Sequence, residues 1–208
     1  MNEPIRNTDL TRNTLLQAAY CEIHRHGFQG ASIASILEST RLTKGALYHH
    51  FPTKQALGLA VIDDVIAPAI DRLILQPVRD SANPVGALLD TLHGLPERIG
   101  ENNLLLGCPL NNLMQEMSPL DEDFRHRLEQ ILQHWRDVLE TAFRTGQQQG
   151  VIRDDVDCQA AALFVQSAWE GCMGVTKTMQ SLPAFASCVG QLCGYVRSLM
   201  ISPTHDRM

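Results

Sequence analysis

Leu42-Thr43-Lys44-Gly45-Ala46-Leu47-Tyr48-His49-His50-Phe51-Pro52-Thr53-Lys54-Gln55-Ala56-Leu57 packs three structural signals into sixteen residues. Thr43 is a hydroxyl residue placed to cap a helix, because its oxygen can accept an N–H that has no partner in the first turn. The helix it opens is short, Lys44 to about His50. Only Leu47 and Phe51, four apart, are spaced to face a core. Pro52 and Thr53 punctuate the chain, and a further helix starts near Lys54 and runs past Val61. Pro68 is expected to kink or end that helix, since it lacks an N–H and its ring collides with the preceding turn.

Working upstream, Arg41-Leu42 is a short link, and Ser32 caps a helix from Ile33 to about Thr40 with Ile33, Ile36 and Leu37 inward. Before it, Leu15, Ala18, Ala19 and Ile23 define one face of a helix from about Thr8 to His26. Gly27 is expected to stop it with positive φ. Phe28 should plug a core and Gly30 turns the chain. Residues 32–54 thus read as helix, tight turn, short helix.

Downstream, the same periodicity predicts longer helices. Asn83-Pro84 opens one to about Ile99, with proline in the first turn, and Gly107-Cys108-Pro109 opens another to about Met117. Asp121 to Gln149 carries the cleanest amphipathic pattern: Phe124, Leu128, Ile131, Leu132, Trp135, Leu139, Ala142 and Phe143 share a face. Asp121, Glu122 and Asp123 suit the positive end of its dipole, and Gly150 ends it. Asp155 or Asp157 caps a helix from Ala160 to about Met179, and the last runs from about Pro183 to Met200. Strand and hairpin signals are nearly absent. The fold class is all-α.

Composition agrees with a folded protein. At 208 residues and 44% hydrophobic, the chain is long enough for a core and too apolar for disorder. Its longest apolar run, Ala160 to Val165, is far short of a membrane span, and the polar stretch Met1 to Leu10 lacks the apolar core of a signal peptide. A cytoplasmic protein with no membrane partner is expected. The net charge of −6 argues against a purely electrostatic nucleic-acid binder. The charge is nevertheless uneven. Residues 1–58 hold six basic against four acidic side chains, leaving eleven basic against nineteen acidic in the remainder. Four of the eight histidines (His24, His26, His49, His50) also lie in the head. A mildly basic head on an acidic body points to parts with different partners.

A helix-turn-helix presents its second helix to the DNA major groove. Lys44, Gly45, Ala46, Tyr48 and His49 are left exposed by the spacing, and small residues let backbone approach base edges or a thymine methyl. Tyr48, His49, His50 and Lys54 can donate to phosphates. Ser32 and Thr43 add hydroxyls and helix-start N–H groups suited to anions. The run Leu42 to Leu57, with Gly27-Phe28, Ala31-Ser32 and Ile36 upstream, resembles the signature of the TetR family of transcriptional regulators over about residues 10–60. The resemblance implies a three-helix DNA-binding head, over residues 1–58, and a larger helical body, over residues 59–208, that dimerises through its last two long helices and holds a small-molecule pocket. Carried over position by position, it implies a phosphate contact for Ser32 and base contacts for Lys44, Gly45 and Ala46. Tyr48 would sit near backbone and base edges, and His50 and Lys54 would touch phosphate. His49 is a more variable position in the family.

The body is less specific. Leu104-Leu105-Leu106-Gly107-Cys108-Pro109-Leu110-Asn111-Asn112-Leu113 places Cys108 near a helix start, where the dipole can lower a thiol pKa. Cys108 is therefore either a redox or electrophile switch or a buried small residue. Asn112 could set a polar group in an apolar pocket or simply face solvent. Met114, Trp135, Trp169 and Met173 could line such a pocket or pack a core. Gly171, Gly174, Gly190 and Gly194 fit close helix packing. The six cysteines show no metal-binding spacing, and reduced thiols are expected. No HExxH, G-x-S-x-G, P-loop or Glu-x-x-His pattern occurs. His126 and His134 are two turns apart, and the adjacent His49 and His50 should point apart. Neither enzyme activity, metal nor cofactor is expected.

The reading is a homodimeric regulator bound to a pseudo-palindromic double-stranded DNA operator and released by a small-molecule inducer. The alternatives are a sensor of the same family switched through Cys108, and a small-molecule binder without operator recognition. Because lysines are few, operator affinity should rest on dimerisation and base contacts more than on bulk charge.

Overall fold

The computed structural model describes residues 3–201, with side chains from Asp9 onward. Met1 and Asn2, part of the polar stretch considered above, and the C-terminal tail after Ile201 lie outside the described residues. The described chain is helical throughout, and Ile152 with Met200 forms a lone β-bridge.

Twelve α-helices follow in order: α1 (Glu3–Gly30), α2 (Ile33–Thr40), α3 (Lys44–His50), α4 (Lys54–Val61), α5 (Ala67–Ile70), α6 (Gln76–Arg79), α7 (Pro84–Ile99), α8 (Glu101–Leu105), α9 (Pro109–Met117), α10 (Glu122–Gln148), α11 (Cys158–Met179) and α12 (Leu182–Ser198). Among the described residues, side-chain caps fix seven of the starts. Ser32, Thr43, Thr53, Asn83, Asp121, Asp157 and Ser181 each accept an N–H of the first turn.

The sequence expectations for α2, α3, α7, α9 and the long α10 hold to within about a residue. Three differ. The first helix begins at Glu3 rather than near Thr8, and its helical turns resume after a break at Gly27 (φ 74, ψ 169). Pro68 does not end its helix: helical backbone continues from Lys54 to Arg79 through two π-helical stretches, Ile62–Ile66 and Asp71–Leu75. Each stretch ends two residues before a proline, Pro68 and Pro77. A widened turn absorbs the missing N–H and moves the ring away from the carbonyl it would strike. The helix α8 between Gly100 (φ 80) and Gly107 (φ 79) had no sequence signal.

The contacts divide the chain into two compact units. The first joins residues 3–69 with Pro109–Ile131, so α9 and the start of α10 pack with α1 to α4 although forty residues separate them in sequence. Its core holds Leu15, Ala19, Ile36, Leu47, Leu57 and Phe124, each 2% exposed or less. Ala18, expected inward, is only half-buried, and Leu16 takes a core place instead. The second unit joins Ile70–Cys108 with residues 132–201. Val85, Leu88, Leu139, Phe143, Val165 and Val196 are buried there, and α11 packs against α12.

Candidate nucleic-acid interface and body site

In the first unit, α2 and α3 are joined at Arg41, which takes a left-handed conformation (φ 58) so that two helices meet across a very short turn. Leu47 is fully buried and Phe51 nearly so, which pins α3 by the two apolar residues its sequence offers. The opposite face is left to solvent. Thr43, Lys44, Gly45, Tyr48 and His49 are exposed, with Tyr48 at 41%, and Ala46 and His50 are half-buried. The Thr43 hydroxyl accepts the Ala46 N–H at 3.2 Å, and the Ser32 hydroxyl accepts that of Ser35 at 3.3 Å. Each keeps its own O–H hydrogen to donate. The Ser32 N–H is itself held by Glu22 Oε1 at 3.1 Å.

One expectation needs correction here. His49 and His50 do not point apart: their rings meet edge to face with centroids 5.3 Å apart. Lys54 is held at the head by two contacts. Its Nζ donates to the Gln29 carbonyl at 3.1 Å and lies 5.0 Å above the Phe28 ring.

The head also contains a clasp that sequence reasoning missed. Glu116, on α9, accepts the backbone N–H of Phe28 through Oε2 and that of Gln29 through Oε1, both at 2.7 Å. These donors lie just past the break at Gly27, where the helix ladder cannot supply acceptors. A side chain at Gly27 would meet the Glu116 carboxylate at 2.7 Å, so glycine is required both for its φ and for space. Phe28 is closed from another side by Phe124, with ring centroids 4.6 Å apart. Asp64 pairs with Arg12 at 2.5 Å and Asp63 pairs with Arg127, tying α1 and α10 to the first π-helical stretch. Arg12 also lies 5.4 Å over Phe51. No local signal marks Glu116, because its partners are 87 and 88 residues away.

The six residues considered for a ligand fall into both units. Asn112 and Met114, half-buried on α9, belong to the first. Cys108, Trp135, Trp169 and Met173 belong to the second, all 5% exposed or less. Trp169 and Met173 are one turn apart on α11, and the Trp169 indole meets Phe185 edge-on at 5.9 Å. Between them, Glu170 is 6% exposed. The Cys108 thiol donates to its Oε1 at 3.3 Å. Burial pushes the Glu170 carboxyl up to about 7, although the hydrogen bond from Cys108 acts the other way. Cys108 does precede α9, as its sequence predicts, but its thiol is buried against an acid.

The expectation that all six cysteines are reduced is overturned: Cys172 on α11 and Cys188 on α12 form a disulfide. Sixteen positions separate them in sequence, but a helix hairpin brings their Cα atoms to 5.6 Å. Outside the disulfide, Cys21 is exposed, while Cys108, Cys158 and Cys193 are buried. Burial raises the thiol pKa of Cys158 and Cys193. Among the described residues, no three His, Cys, Asp or Glu side chains are grouped to hold a metal. Also among these residues, no helix is long and apolar enough to cross a membrane.

Comparison with known proteins identifies this architecture. Residues 15–61 match the model described as bacterial regulatory proteins, tetR family, and residues 85–189 match that of the tetracyclin repressor-like C-terminal domain. The chain belongs to the TetR family. It is 30% identical over 168 residues to the transcriptional regulator AcuR of Cereibacter sphaeroides, covering 79% of this chain and 75% of that one. To the HTH-type transcriptional repressor DhaR of a Mycobacterium species it is 27% identical, covering 78% and 82%. Among solved structures, a TetR regulatory protein from Rhodobacter sphaeroides is similar with a TM-score of 0.80 at 26% identity, over 92% of this chain and all of that one. The regulator is therefore a DNA-binding transcriptional regulator with an N-terminal helix-turn-helix and a helical C-terminal domain.

Proposed function

We propose that the regulator is a cytoplasmic, non-enzymatic repressor. In this reading residues 1–58 serve as its DNA-binding head and residues 59–208 as the body that dimerises and takes an inducer. The observation that carries it is the division of α3: Leu47 and Phe51 are buried, while Lys44, Gly45, Tyr48 and His49 form one uncovered face. Ser32, Thr43 and Ala46 flank that face, with His50 beside it. Lys54 acts indirectly, by fixing Gln29. A two-fold dimer carries two such faces and calls for a pseudo-palindromic operator.

The surface of α11 and α12 supports dimerisation through these helices. Leu163, Phe164, Val175 and Met179 on α11 are each 50% exposed or more. A side chain added at Gly171, Gly190 or Gly194 would meet nothing in the protomer. Uncovered apolar side chains beside small residues are the surface that close helix packing with a second copy requires.

A small-molecule inducer acts by binding one body conformation better than the other, and that difference in affinity bounds the response. In this reading the inducer's site draws on Trp135, Trp169, Met173 and Glu170, which put apolar side chains and one protonatable group in the core of the second unit. Cys108, hydrogen-bonded to Glu170, keeps the second reading open, in which a thiol reaction replaces the inducer.

Fluorescence anisotropy on labelled DNA from upstream of the protein's own gene tests the main reading. Saturable binding, competed by unlabelled specific DNA and abolished by Phe164→Asp through loss of the dimer, is expected. Binding no tighter to that DNA than to random duplex would leave a small-molecule binder without operator recognition. Release by a thiol oxidant that persists in Cys108→Ser would remove Cys108 as the switch.

A further inference from the structure

We propose that Cys172 and Cys188 form a reversible oxidation site, in which Cys188 is the attacking thiol, Cys172 the resolving thiol and a small-molecule disulfide the oxidant. The two positions are unlike. Cys172 is 1% exposed on the buried face of α11, between Trp169 and Thr176. Cys188 is half-buried on α12, beside exposed Ser187 and one turn from exposed Gln191. Only Cys188 is open to a reagent, and Cys172 waits behind it within bonding distance.

The closing reaction balances as two exchanges. The Cys188 thiol gives up its proton, and its sulfur attacks one sulfur of RS–SR. A Cys188–SR mixed disulfide forms and one RS⁻ leaves, taking up that proton. The Cys172 thiol then gives up its proton, and its sulfur attacks the Cys188 sulfur. The protein disulfide forms and the second RS⁻ leaves as RSH. Two protein thiols are oxidised and one RS–SR is reduced to two RSH. Excess small thiol reverses both steps.

A regulator of DNA works where thiols are usually kept reduced, and disulfides in such compartments are mostly transient and sensing. Here the bond joins the two helices whose outer face is uncovered. Closing it removes freedom from the hairpin in which α11 packs against α12. The site stands on the two sulfurs whatever the DNA does. Its effect on operator affinity rests on the DNA-binding reading above, and separate readouts keep the two apart.

The test treats the full-length reduced protein with oxidised glutathione, traps free thiols with iodoacetamide and reads intact mass. The wild type should lose two thiols to the protein disulfide, with any retained glutathione confined to the exposed Cys21. Cys172→Ser should retain one glutathione more than the wild type, at Cys188. Cys188→Ser should retain none at Cys172. Cys108→Ser should behave as wild type. Oxidised wild type should melt about 5–10 °C above the reduced form, as closure of a short loop predicts, and Cys188→Ser should show no such difference. Operator affinity should differ several-fold between the redox states of the wild type alone. Six free thiols after oxidation, or glutathione held at Cys172 in Cys188→Ser, would overturn the site. An unchanged operator affinity in a protein that binds DNA and closes the bond would overturn its regulatory role.

Discussion

Removing the Glu116 carboxylate should loosen the head in a way that depends on Gly27. Glu116→Ala deletes two charge-assisted hydrogen bonds of 2.7 Å, to the N–H groups of Phe28 and Gln29. Such bonds contribute about 1.5–3 kcal/mol each when buried. Gln29 is exposed, so water recovers part of the second one. A loss of about 2 kcal/mol is expected, or roughly 4–8 °C in melting temperature for a chain of this length. Gly27→Ala forces an L side chain to φ 74, ψ 169, a strain of about 1–3 kcal/mol. It also places a methyl 2.7 Å from the Glu116 carboxylate, which must retreat and abandon the same two bonds. The single changes therefore share a cost. The double variant should be destabilised by about 2 kcal/mol less than the sum of the singles. Urea titration of the four proteins by far-UV circular dichroism measures the cycle, and amide exchange at Phe28 and Gln29 localises it. Additive single effects, or Glu116→Ala within about 0.5 kcal/mol of wild type, would refute the clasp.

Gly58→Ala should destabilise the first unit by about 1–3 kcal/mol, because its Cβ would lie 2.4 Å from the Phe28 ring and 2.8 Å from that of Phe124; thermal melting checks this. Tyr48→Phe should weaken operator binding about fivefold with an unchanged melting temperature, since the hydroxyl sits on an exposed face. Lys54→Ala should lower both affinity and melting temperature, because the ammonium holds the Gln29 carbonyl and the Phe28 ring; anisotropy and melting run together separate the two variants. Burial raises Glu170 from an ordinary 4.5 to about 7, so the folded state keeps a proton that the unfolded chain has lost between those values. Stability should therefore fall as pH rises through that window, by up to about 3 kcal/mol, and level off above it. Glu170→Gln should flatten the fall, and a wild-type stability that rises from pH 5 to 7 in the same measurement would contradict it.

The sequence by itself determined the helices and most of their ends. Ser32 and Thr43 each cap the helix expected of them, and of the two candidates Asp155 and Asp157 the second caps its helix, because a cap bonds an N–H only two or three residues ahead. Leu47 and Phe51 bury as their four-residue spacing requires, which leaves the uncovered face of α3 legible without coordinates. Tertiary structure alone decided what lies across sequence distance. Glu116 reaches Phe28 over 88 residues, Lys54 reaches the Gln29 carbonyl over 25, and Cys172 finds Cys188 only because a hairpin returns the chain. Pro68 marks the limit between the two kinds of information. Its ring dictates that an ordinary helical turn must yield. Whether the helix ends or widens depends on whether its continuation is worth burying, and here Ile70, Ile74, Leu75 and Val78 beyond the proline are all buried.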